Sequence, residues 1–208
     1  MSFTYEFEDR KVPLETYEWD NTWIDHAADS DRKRILYIGD SISCGSRMVA
    51  TALTEGKILF DGFGTSKAVD NPCFADSVKL FAMQQGERKA VLFNNGLHGF
   101  HLGDDTEYKE HYENIVKFLV EEFEGTTVFI VLTTHIADEE REERVKVRNR
   151  VALEIADKYN LSVIDLYSVA LENAHLLTGD GVHFTPEGYN KLAEKIVETL
   201  QEKIPELK

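Results

Sequence analysis

A serine near the start of the chain and a histidine–aspartate pair near its end have the chemistry of a nucleophile and its base. Ser41 lies in Gly-Asp-Ser-Ile-Ser at positions 39–43, directly after an apolar run, and Asp180 and His183 form an Asp-x-x-His motif. A carboxylate can hold an imidazole in one tautomer, and the imidazole can then accept the proton of a serine hydroxyl. Each motif alone also fits a plain structural role, as a helix N-cap or as an Asx turn.

Two further loops contain groups that can donate hydrogen bonds to a developing oxyanion. Asp-Gly-Phe-Gly-Thr-Ser at 61–66 contains Gly64, where the missing side chain lets a backbone N–H approach a ligand closely. Asn-Asn-Gly-Leu-His at 94–98 places polar side chains at the end of a buried run. Donors of both kinds stabilise the tetrahedral intermediates of acyl transfer.

The loop at 94–101 also leaves a second chemistry open. His98 and His101 stand three residues apart and are followed by Asp104 and Asp105, which together suggest a metal site. The loop is broken by glycine and includes no thiolate, which argues against a metal. The chain has neither a dinucleotide-binding glycine fingerprint nor a phosphate-binding loop, and it lacks the Gly-x-Ser-x-Gly elbow of α/β-hydrolases.

Regular elements must bring these distant residues together. Five short, nearly continuous apolar runs are typical of strands buried on both faces. They cover 35–39, 57–62, 90–95, 127–134 and 161–167. Stripes of period 3.6 predict helices over 108–123, 138–159 and from 185 onward. This alternation predicts a three-layer α/β/α sandwich with a five-stranded parallel sheet in flavodoxin-like order, with its ligand site at the carboxyl ends of the strands.

Composition restricts the class of protein and its partners. The 208 residues carry 23 Lys and Arg against 38 Asp and Glu, a net charge of −15, which argues against nucleic acid and anionic membrane surfaces. Two cysteines are too few for a disulfide framework. The acidic N-terminus has no apolar signal segment, and no apolar run is long enough to insert into a membrane, so a cytoplasmic location is expected.

The order of the motifs resembles that of the SGNH/GDSL hydrolases over residues 34–200. The resembling features are Gly-Asp-Ser after the first strand, a glycine loop after the second, a glycine–asparagine type loop after the third and Asp-x-x-His before the last helix. The resemblance implies that Ser41 is the nucleophile, His183 the base and Asp180 its orienting carboxylate. It also implies that the backbone N–H groups of Ser41 and Gly64 are two arms of an oxyanion hole.

The third arm departs from that family. Aligning Gly96 with the glycine of the family's third block places His98 where the family has an asparagine. A neutral imidazole N–H can donate a hydrogen bond, so His98 is the expected third donor. Asn95 or Asn94 is the alternative.

These observations predict a serine esterase that needs no metal or cofactor. The expected reaction is hydrolysis of a short-acyl ester, such as an acetyl group on a sugar, because the chain is acidic and shows no hydrophobic lid. The alternatives are a lysophospholipase or thioesterase of the same family, a metal-dependent hydrolase, and a non-catalytic binding domain. Residues 1–33 are expected to be an extension packed on the domain at 34–208, held by its aromatic residues. The expected partner is a small-molecule ester, and the sequence does not indicate an oligomeric state.

Overall fold

The described part of the chain contains six strands and six α-helices, which alternate from β2 to α5. The computed structural model describes residues 14, 17–103 and 105–208. The strands are β1 (Asp20–Trp23), β2 (Lys33–Gly39), β3 (Ile58–Thr65), β4 (Ala90–Phe93), β5 (Thr127–Val131) and β6 (Ser162–Ile164). The helices are α1 (Ser41–Leu53), α2 (Phe74–Gln85), α3 (Asp105–Glu122), α4 (Glu139–Lys158), α5 (Leu166–Glu172) and α6 (Pro186–Lys203).

The strands form one sheet in the order β1-β3-β2-β4-β5-β6. The five strands β3-β2-β4-β5-β6 are parallel, so the predicted flavodoxin-like arrangement is confirmed. The prediction of five strands was incomplete, because β1 adds a sixth that pairs antiparallel with β3. All four residues of β1 are exposed, so this strand depends on backbone pairing and shows no apolar alternation that would predict it.

Helices cover both faces of the parallel strands. Ile35 and Tyr37 of β2 face a core shared with α1 and α6, whereas Leu36 and Ile38 face a core shared with α2, α3 and α4. All four side chains are at most 1% exposed. Burial on both sides explains why the strand sequences are continuously apolar.

The five parallel strands differ from the predicted runs by one to three residues at one end or both, and two of these differences have a local cause. The run at 57–62 continues as strand to Thr65, because β1 pairs with its last four residues. The run at 161–167 is strand only as far as Ile164, since Asp165 caps α5 by accepting from the N–H of Ser168 at 2.9 Å. Within the described ranges, no helix combines the length and the apolar character that crossing a membrane requires.

Candidate active site

Ser41 is the first residue of α1, at the carboxyl end of the central strand β2. Asp40 caps the helix by accepting from the N–H of Ile42 at 2.9 Å. The next two serines point their hydroxyls back into the helix: Ser43 Oγ donates to the carbonyl of Asp40 and Ser46 Oγ to that of Ile42. The Ser41 N–H therefore lies at a helix N-terminus, where it can stabilise negative charge.

The fold brings Ser41, His183 and Asp180 into one hydrogen-bonded chain. His183 Nε2 lies 2.7 Å from Ser41 Oγ, across 142 residues of sequence. His183 Nδ1 lies 2.7 Å from Asp180 Oδ2. If Nδ1 carries the proton, Nε2 can accept the serine proton, which is the arrangement of a nucleophile, a base and an orienting carboxylate.

Asp180 is held by donors on both of its oxygens. Oδ1 accepts from Thr178 Oγ1 at 2.9 Å, from Val182 N–H at 2.9 Å and from His183 N–H at 3.0 Å. The hydrogen bond from the His183 ring, and then these donors, hold the pKa of Asp180 well below its usual range. Its loop is also attached to the loop after β5, because Ala137 N–H donates to the carbonyl of Gly181 at 2.8 Å.

Asp40 is a buried carboxylate directly behind the nucleophile. Its residue is only 2% exposed, and burial raises the pKa of its carboxyl. The imidazoles of His98 and His183, with the backbone N–H of Ile42, act in the opposite direction.

The loop that carries His98 is fixed by a buried arginine from α4. Arg148, 3% exposed, donates to the carbonyls of Gly96 at 2.9 Å, His98 at 2.5 Å and Gly99 at 2.6 Å. Its guanidinium also stacks on the ring of Phe100, 4.6 Å from the ring centroid. Arg148 thus fixes the backbone conformation of the loop that contains His98.

The two asparagines considered as third donors are already engaged. Asn94 Nδ2 donates to the carbonyl of Val131 at 2.9 Å and to Thr133 Oγ1 at 3.1 Å, so both of its N–H groups are used. Asn95 Nδ2 donates to the carbonyl of Lys67 at 2.7 Å. The Asn94 bonds connect the neighbouring strands β4 and β5, and the Asn95 bond connects the residues that follow β4 and β3. The choice of His98 or Asn95 as the third donor stays a prediction.

Gly64 lies elsewhere than its sequence motif predicts. It is part of β3 and pairs with Asn21 of β1, so the predicted loop after the second strand was wrong at this residue. Gly64 remains a predicted oxyanion donor through its N–H. Its missing side chain makes room for Cys44, whose Sγ would lie 2.2 Å from a Cβ.

The histidines considered as metal ligands separate in the structure. His101 Nε2 lies 2.8 Å from Asp70 Oδ2, whereas the His98 ring lies beside Trp19, with ring centroids 6.0 Å apart. Asp104 lies outside the described residues. Within the described part of the chain, no three His, Cys, Asp or Glu side chains are placed to hold a metal ion.

Two contacts in this region have no signal in the sequence. Arg148 belongs to a strongly charged helix whose pattern indicates a solvated face, and its three acceptors lie at least 49 residues away. Trp19 belongs to the extension that is expected to be held to the domain by its aromatic residues, but no sequence pattern indicates its contact with His98. Both contacts depend on tertiary structure.

Solved structures share this fold over most of the chain. An acetyl xylan esterase, AlAXEase, has a TM-score of 0.65 at 16% identity, covering 80% of this chain and 99% of that chain. A lipase/acylhydrolase from Enterococcus faecalis has a TM-score of 0.66 at 19% identity, covering 82% of this chain and 96% of that chain. A lipolytic G-D-S-L family protein from Veillonella parvula DSM 2008 has a TM-score of 0.66 at 21% identity, covering 81% of this chain and 98% of that chain.

No protein-family model matches the sequence, and no curated protein matches it. The fold class is nevertheless plain: the chain has the fold of the SGNH/GDSL hydrolases. Part of the chain lies outside the shared region, since each of these neighbours is almost fully covered while this chain is not.

Proposed function

We propose that this chain hydrolyses short-acyl esters through an acyl-enzyme on Ser41. The observation that carries the proposal is the continuous chain from Ser41 Oγ through His183 to Asp180, with both links at 2.7 Å. The position of Ser41 at the N-terminus of α1 supports it, because the same residue supplies a backbone N–H for the oxyanion.

In the first half-reaction Ser41 Oγ attacks the acyl carbon while His183 Nε2 takes the hydroxyl proton. The carbonyl oxygen becomes an oxyanion, which the Ser41 N–H and a side-chain N–H of His98 stabilise. The intermediate collapses, and the leaving alcohol takes the proton from His183. Asp180 keeps Nδ1 protonated throughout and stabilises the imidazolium.

The second half-reaction returns the enzyme to its starting state. His183 Nε2 removes a proton from water, and the hydroxide oxygen adds to the acyl carbon on Ser41. Collapse releases the carboxylic acid and returns the proton to Ser41 Oγ. Atoms and charge balance with water as the only second substrate.

An acetyl ester, such as one on a carbohydrate, is the substrate class we favour. An acetyl xylan esterase is among the structural neighbours, and the net charge of −15 disfavours anionic lipid surfaces. The lipase/acylhydrolase neighbour supports the lipolytic alternative, which the chain-length profile below separates from the first.

The test is hydrolysis of p-nitrophenyl esters from acetate to octanoate by wild-type protein and by Ser41→Ala. We expect the highest kcat/KM on acetate and a loss of at least about a thousandfold in Ser41→Ala. Ser46→Ala is the matched control, because its hydroxyl is bonded within α1, and it should retain activity.

Covalent labelling separates the possible nucleophiles. A fluorophosphonate should modify wild-type protein at Ser41 and leave Ser41→Ala unlabelled. Labelling at Ser43 or Ser46 instead would overturn the assignment. A maximum at octanoate would favour the lipolytic alternative.

A further inference from the structure

We propose that Trp19, on the N-terminal segment, closes the acyl side of the active site and thereby selects for acetyl-sized groups. This inference rests on the proposed esterase function and deepens it. Trp19 lies outside all four sequence motifs that resemble those of the SGNH/GDSL hydrolases.

Backbone pairing carries the N-terminal segment past the carboxyl end of β3. Beyond β1, Trp19 still pairs with Ser66: its carbonyl accepts from Ser66 N–H at 3.1 Å, and its N–H donates to Ser66 Oγ at 2.8 Å. Ser66 Oγ also donates to Glu18 Oε2 at 2.9 Å. Residues 18 and 19 therefore sit at the sheet edge where ligands bind in parallel α/β folds.

The other end of this segment is anchored by a buried ion pair. Arg34, paired with Asp61 at 3.1 Å, donates to the carbonyl of Asp25 at 2.9 Å. Asp61 Oδ1 in turn accepts from Asp25 N–H at 2.8 Å. With both ends bound, the segment holds Trp19 in a defined position.

The Trp19 side chain reaches the residues around the nucleophile. Its ring meets the His98 imidazole edge-on at 74°, with centroids 6.0 Å apart, and His98 lies on the loop after β4, the strand next to β2, which Ser41 follows. Trp19 is only partly buried, so some of its ring remains available to a ligand. Along β1 the side chains alternate, and Asn21, two residues on, bonds Arg47 of α1. Trp19 therefore faces the same side of the sheet as the helix that Ser41 begins.

The reaction defines which part of the substrate meets Trp19. The leaving oxygen must lie near His183 Nε2 to receive its proton, and His183 comes from the loop that is bonded to the loop after β5. Trp19 lies beside β3, and Ser41 follows β2, which stands between β3 and β5 in the sheet. The alcohol is thus on the β5 side of Ser41, and the acyl group is left to extend toward Trp19.

Removing the indole should therefore admit longer acyl chains. For Trp19→Ala we expect the ratio of kcat/KM on p-nitrophenyl butyrate to that on acetate to rise at least about tenfold, since one or two methylenes are worth that much in an apolar pocket. The gain should appear mainly in KM for butyrate. Trp23→Ala is the matched control: it is 46% exposed at the other end of β1, and its ratio should equal that of wild type.

A second measurement leaves Trp19 in place. The chain has two tryptophans, so Trp23→Phe makes Trp19 the single indole reporter. Its fluorescence should shift more when Ser41 carries a butylphosphonyl adduct than when it carries a methylphosphonyl adduct. Equal spectra for the two adducts would overturn the inference even if Trp19→Ala failed to fold.

The outcomes distinguish the inference from the function beneath it. If folded Trp19→Ala still hydrolyses the acetate ester and its butyrate-to-acetate ratio of kcat/KM is unchanged, the role of Trp19 is refuted and the esterase function is retained. Absence of hydrolysis and of phosphonate labelling in wild-type protein removes the esterase itself.

Discussion

Replacing Asp180 by asparagine tests the triad with almost no change in shape. Asp180 Oδ1 accepts three hydrogen bonds, from Thr178 Oγ1 and from the N–H groups of Val182 and His183. The amide oxygen of the variant must take that position, because an NH₂ group there would face three donors. The amide nitrogen is then directed at His183 Nδ1 and donates to it.

A donor at that position reverses the tautomer of His183. Nδ1 must accept, so the ring proton moves to Nε2, which can no longer take the proton of Ser41. We expect kcat for p-nitrophenyl acetate in Asp180→Asn to fall by about 10⁴-fold, with the remaining rate due to binding and the oxyanion donors. KM should change little, since the substrate contacts are unaltered.

Stability in acid gives an independent check on the same carboxylate. Hydrogen bonding to His183 and to the loop N–H groups lowers the folded-state pKa of Asp180 from 3.8. The stability this provides is present above pH 3.8 and is lost as the pH falls toward the lower folded-state pKa. The melting-temperature difference between wild type and Asp180→Asn should therefore shrink below that pH. A folded variant with more than about a tenth of the wild-type kcat would refute the tautomer argument.

Two further predictions concern the oxyanion side. His98→Ala should lower kcat by about a hundredfold to a thousandfold, and His98→Asn should recover part of that loss. Asn95→Ala should keep a kcat close to that of wild type. The reverse result would assign the third donor to Asn95. Arg148→Met leaves three carbonyls, two of them on buried residues, without their charged donor. It should cost about 3–5 kcal/mol of unfolding free energy in chemical denaturation and, by displacing His98, lower kcat by up to about a hundredfold. Arg150→Met, exposed on the same helix, should change neither quantity.

The parallel strands and the triad partners could be predicted because each has a local signature. The strands are continuously apolar since both faces are buried. Ser41 follows a recognisable strand, and His183 precedes a recognisable helix. Their convergence then follows from the rule that ligand sites lie at the carboxyl edge of such sheets.

The remaining features depend on pairings that no local pattern records. β1 is polar and exposed, so its existence depends on the open edge of β3, and the same pairing extends β3 through Gly64 to Thr65. Arg148 is charged and helical, which by itself indicates solvent exposure. Only the folded chain brings its guanidinium to carbonyls at positions 96, 98 and 99.

The pairing of β1 with β3 also determines how the molecule meets other molecules. Without β1, β3 would present eight residues of buried-type sequence along an open sheet edge, with bare N–H and C=O groups able to template another strand. β1 occupies that edge with a short, polar strand that includes Asp20, whose charge disfavours further pairing. The segment that carries Trp19 therefore also protects the sheet from edge-to-edge aggregation, so the two roles cannot be separated by simple truncation.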